Sequence, residues 1–131
     1  MNESIEKFLK EVSLQSNSDQ QKLRTLLYEL MNAGFIAEAG KNSSYIHIKT
    51  HSGTNYGCFT KTGRFRNYGS RLTGESYLDE LGGLLGVDIY KKGSDHFWTV
   101  TDGKMKSICI SSLLPYYRDW IELLRKEVSK N

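Results

Sequence analysis

"SSYIHIKTHSGTNYGCFTKTGRFRNY", residues 43–68, decides how this chain is read. Its opening alternates, with Ile46 and Ile48 on one side of an extended backbone and Tyr45, His47 and Lys49 on the other, the period of a half-buried strand. Ser52 and Gly53 supply a turn. "NYGCFT" and "RFRNY" then read as a hairpin about Lys61, Thr62 and Gly63, where glycine supplies positive φ. Phe59 and Phe65 are assigned to the core. Arg64, Arg66 and Tyr68 join Tyr45, His47 and Lys49 on the opposite face.

Toward the N-terminus the period changes. Ile5, Phe8, Leu9 and Val12, then Leu23, Leu26, Leu27, Leu30 and Met31, recur at three and four residues and predict two amphipathic helices. Ser18 with Gln21 forms a capping box for the second, and Gly34 suits its left-handed C′ position, so this helix is expected over about 19–33. Toward the C-terminus, Thr73 is expected to cap a helix through Leu85. "VDIYKK", "HFWTVT" and "KMKSICIS" follow as strands, with a turn at Asp102-Gly103 and a closing apolar helix over about 113–128.

This order looks like a repetition. Shifting the chain by 51 residues aligns Leu27 with Leu78, Glu29 with Glu80, Leu30 with Leu81, Lys41 with Lys92, Ser43 with Ser94, Thr50 with Thr101 and Cys58 with Cys109. Seven identities without a gap, where background composition gives roughly two, predict an internal duplication. The expected fold class is therefore α+β. It comprises two similar helix plus three-stranded antiparallel units, 19–72 and 73–131, with an extra N-terminal helix and a closing C-terminal helix in one domain, 1–131. In that register Ile108 and Ile110 mark the core face of the last strand, while Tyr56, Cys58 and Thr60 turn outward in the first unit.

Helix, three antiparallel strands, helix is similar in layout to double-stranded RNA-binding domains and to the small HicA-type toxin ribonucleases. "GKNSSYIHI" and "KKGSDHFWTV" look like the Gly-Ser-His start of a strand in that toxin family. Ser44 and Asp95 stand where the family's catalytic His would be, with His96 one place later. The resemblance implies a layout and leaves catalysis unsupported.

Charge is distributed unevenly. Residues 1–38 carry four basic and six acidic side chains, residues 75–131 eight and nine, and residues 39–74 six basic and no acidic ones, so the net +3 is concentrated in the middle. A basic face with interleaved rings suits a polyanion, because cationic groups displace counterions from phosphates and rings offer stacking surfaces. The expected anion-binding residues are Tyr45, His47, Lys49, Lys61, Arg64, Arg66, Tyr68 and Arg71, and the expected partner is a nucleic acid or an acidic protein. A strand's exposed face is also ordinarily basic and polar, which is the plainer reading.

In the second unit Trp98, Val100 and Cys109 replace His47, Lys49 and Cys58. That apolar face implies cover by the last helix or by a second copy. Trp98, Tyr116, Tyr117 and Trp120 are the residues of an interface if the chain acts as an interaction module or homodimer; otherwise the last helix is a central core helix. His47 and His96 are the candidates for metal-independent RNA cleavage, a third reading. No paired-Cys spacing, HExxH motif or carboxylate cluster suggests a metal, and no cofactor is expected. The N-terminus lacks a signal-peptide pattern and no apolar run is long enough to span a bilayer, so a cytoplasmic location with reduced cysteines is expected.

Overall fold

A computed structural model of the chain describes residues 2–67, 75–86, 89–91, 98–100 and 108–130. Two helices begin the chain, α1 (Glu3–Glu11) and α2 (Asn17–Asn32). Asn2 Oδ1 accepts the Ile5 N–H at 2.9 Å and caps α1. The cap of α2 is Ser16, whose Oγ accepts the Asp19 N–H at 3.3 Å. Ser18 is already inside the helix, so α2 starts two residues earlier than the capping box suggested. Its other end matches the expectation: Gly34 takes φ +97°, Phe35 N–H reaches Leu30 O at 3.0 Å, and Gly34 N–H reaches Met31 O at 3.0 Å. These paired bonds satisfy carbonyls that the helix end would otherwise leave open, and Phe35 and Leu30 both enter the core.

The strands β1 (Ile36–Ala39), β2 (Tyr45–Lys49), β3 (Asn55–Thr60) and β4 (Arg64–Asn67) form an antiparallel meander. Ile46 pairs with Phe59, and Phe59 with Phe65, so these side chains share one face. That face packs on Ile5, Phe8 and Leu9 of α1 and Leu23, Leu26, Leu27 and Leu30 of α2, all 2% exposed or less. Each such burial contributes roughly 1.5–3 kcal/mol. The β3–β4 loop is held tightly. Gly63 has φ +86° and a Cβ there would run into the carbonyl of Ser13, while Ser13 N–H donates to Lys61 O at 2.9 Å.

Beyond α3 (Glu75–Leu85) lie β5 (Ile89–Lys91), β6 (Trp98–Val100) and β7 (Ile108–Cys109). The fold is α+β, with a five-stranded antiparallel sheet in the order β1-β2-β3-β4-β7. The described strands do not divide into two like three-stranded sheets. β5 and β6 pair with each other alone, and β7, expected beside β6, pairs with β4 through Arg64↔Cys109 and Phe65↔Ile108. Phe65 and Ile108 are both buried, so this pairing extends the same apolar face by one strand. The expected duplication thus has no counterpart in the order of the described strands.

The closing helix is interrupted. Residues Ile110–Leu113 form α4, Leu114–Tyr116 a 3-10 turn containing Pro115, and Tyr117–Ser129 α5. Proline lacks the N–H and crowds the preceding turn, which explains the break. Ile108 and Ile110 are both buried as expected, although Ile110 already starts α4.

Candidate functional site

With the helices on one face of the sheet, the opposite face carries the residues singled out by alternation. Register places Glu38, His47, Cys58 and Arg66 in one row across β1 to β4. A second row holds Tyr45 opposite Thr60, and Arg64 opposite Cys109. Arg64 and Arg66 therefore do share a face with Tyr45, His47 and Lys49, flanking the buried Phe65.

Their surroundings differ. Arg66 is exposed and, among the described residues, makes no ion pair. Arg64 is half-buried, with its Nη1 3.5 Å from the Cys109 Sγ and its N–H donating to Thr60 Oγ1 at 3.0 Å. Lys49 and Lys61 do not stand free. Lys49 Nζ lies 3.0 Å from Glu38 Oε1, and Lys61 Nζ 2.6 Å from Glu11 Oε2. The counter-charges come from β1 and α1, outside the acid-free stretch, which is why counting along the sequence missed them. The Lys61 ammonium holds the Glu11 carboxyl below its ordinary pKa.

His47 is half-buried and fixed by Asn55. The Asn55 Oδ1 accepts the Gly57 N–H at 2.9 Å, so its amide nitrogen faces His47 Nδ1 at 3.0 Å. Nδ1 is then the acceptor and the proton sits on Nε2. Burial depresses the His47 pKa, the Lys49 charge adds to the effect, and Glu38 opposes it. The edge of the His47 ring meets Tyr45, with centroids 4.6 Å apart and planes at 67°.

Tyr56, expected outward with Cys58 and Thr60, turns into the core. Between Ile48 and Lys49 the register shifts, so that Ile48 pairs with Gly57 and Lys49 with Asn55, leaving Tyr56 as the extra residue of a β-bulge. Gly57, at φ 151°, leaves its core-side position without a side chain. Tyr56 is 5% exposed and stands edge-on to Tyr77 at 6.2 Å. A glycine inside a strand pattern is the sequence signal that could have found this bulge.

The aromatic interface residues are scattered. Trp120 is fully buried in the core, which corrects its assignment to an interface; its apolar surroundings are Phe59 and Phe65 of the same chain. Tyr117 is half-buried beside Glu29, whose hydrogen bond raises its pKa, and Arg118 lies over its ring at 5.5 Å. Tyr116 is exposed. Trp98 lies on β6 opposite Lys91. Tyr68, Arg71 and His96 lie outside the described residues, as does the Asp102-Gly103 turn.

Among the described residues, no three His, Cys, Asp or Glu side chains gather as a metal site requires, and no helix is long and apolar enough to cross a membrane. Comparison of the chain with protein-family models, with curated proteins and with solved structures finds no match.

Proposed function

We propose that the protein is a non-catalytic binding module that takes a nucleic acid on the outer face of its five-stranded sheet. The observation that supports this most is Arg66, exposed and without a counter-ion among the described residues, in one row with His47 and beside the row of Tyr45 and Arg64. No acidic residue occurs from position 39 to position 74. Glu38, at the end of the row, is already engaged by Lys49. A face with Arg64 and Arg66 on β4 and its carboxylate spent at the β1 edge attracts phosphates, and each phosphate it neutralises releases counterions. Burial of Trp120 removes the middle of the competing aromatic interface.

The test is fluorescence anisotropy with labelled oligothymidylate and oligouridylate over a series of salt concentrations. Binding should weaken steeply with salt, and Arg66→Ala should lower the affinity and reduce the salt slope by about one. Glu38→Gln, which releases Lys49, should raise the affinity. Absence of binding, salt-independent binding, or an Arg66→Ala protein that binds like the wild type would overturn the proposal. Tighter binding of polyglutamate than of either oligonucleotide would assign the face to an acidic protein.

A further inference from the structure

The end of this face nearest the β1–β2 connection is built around one ring. Gly40 stands where a Cβ would overlap Cε2, Cδ2 and Cζ of Tyr45, so the absence of a side chain lets the ring lie against the backbone of residue 40. The N–H of Gly40 donates to Tyr45 O at 2.7 Å, which pins the two residues together. To return the chain so closely, Asn42 and Ser43 hold φ of 59° and 54° in succession, a conformation that side chains with a Cβ adopt reluctantly. The Tyr45 ring is thus supported from below by Gly40 and at its side by His47, yet it is 36% exposed.

This support is unlike that of a tyrosine merely filling a strand surface. Such a ring needs no glycine under it and no left-handed pair before it. Beside it stands a half-exposed imidazole whose remaining N–H is on Nε2, and the connection that precedes it carries the exposed Lys41, which makes no ion pair among the described residues. Arg66 lies two strands from His47, about 10 Å across the sheet.

Resting on the nucleic-acid reading above, we infer that Tyr45 is a stacking platform for an unpaired base, so that the ligand is a single strand and not a duplex. A held aromatic face on a sheet that also carries the exposed Arg66 suits a chain of exposed bases and phosphates. In a duplex the base faces are already stacked on one another and cannot reach the ring.

Three probes of equal length separate the contributions: oligothymidylate, its duplex with oligodeoxyadenylate, and an abasic strand with the same phosphates. The wild type should bind oligothymidylate about tenfold more tightly than the abasic strand, the range expected for one stacked base. Tyr45→Ala should remove that difference, bringing oligothymidylate down to the affinity of the abasic strand. Gly40→Ala should do the same without touching Tyr45. Residue 40 has φ −75°, which alanine accepts, so only the ring is displaced. Equal binding of oligothymidylate and abasic strand by the wild type, or preference for the duplex, would overturn the platform. If those binders still weakened with Arg66→Ala, the polyanion reading would survive alone; binding of none of the probes or of oligouridylate would remove both.

Discussion

The indole N–H of Trp120 donates to the hydroxyl of Tyr77 at 2.8 Å, in a place where both rings are 1% exposed or less. Trp120 stands edge-on to Phe59 at 5.9 Å and to Phe65 at 5.2 Å, and Tyr77 edge-on to Tyr56. One hydrogen bond therefore ties α5 to α3 directly above β3 and β4. Tyr77→Phe keeps the ring and leaves the buried indole N–H without its acceptor, which costs about 1–3 kcal/mol. Urea denaturation followed by tryptophan fluorescence measures it. An unchanged midpoint would mean that the bond adds nothing.

At Gly63 two constraints coincide, a left-handed φ and the Ser13 carbonyl where a Cβ would go. Gly63→Ala should destabilise the protein by about 2 kcal/mol or more, because strain at the turn adds to displacement of the α1–α2 connection. Gly53→Ala is the control: its φ is +94° but nothing lies within 4 Å of the added methyl, so it should cost less. Thermal melts of the two variants side by side would decide this.

Ser16 and Ser18 offer a comparison between the observed cap and the one suggested by pattern. Ser16→Ala should cost about 1 kcal/mol, and Ser18→Ala a few tenths, since only Ser16 satisfies a helical N–H. The reverse order would mean that α2 starts at the later serine.

His47 predicts a pH dependence whose sign follows from its surroundings. Its folded pKa lies below the model-compound value of 6.5, so the fold favours the neutral ring. That contribution is whole above about pH 6.5 and is lost as the pH falls through this value toward the lower folded pKa. Protonation would also set an N–H of His47 against the Asn55 amide, which cannot turn round while its oxygen holds Gly57. The wild type should therefore lose more stability between pH 7 and pH 5 than His47→Gln. Parallel pH profiles of the two proteins would expose the idea as wrong.

Much of this architecture was legible in the sequence, and the failures have physical causes. Period-two alternation at Tyr45–Lys49 and the glycine at 63 located β2 and the β3–β4 turn, because those signals are local, whereas Tyr56 and Cys58, expected to turn outward, are buried. The position of β7 was not legible: Cys109 matches Cys58 in a self-alignment, yet pairing partners are chosen by which apolar face needs covering, and Phe65 takes Ile108. Trp120 was misassigned because a helix with apolar residues on several sides reads alike whether its cover is another molecule or the protein's own sheet. In the candidate site, residue types were readable but their ion pairs were not, since Glu11 lies fifty residues from Lys61.

The described part of β7, Ile108–Cys109, passes directly into α4. The strand at the opposite border, β1, has four residues and carries Glu38. A border as short as β1 gives a stranger's backbone few amide and carbonyl groups to grip, and its charge resists edge-to-edge growth into fibrils. The β1 margin of the sheet thus discourages accretion.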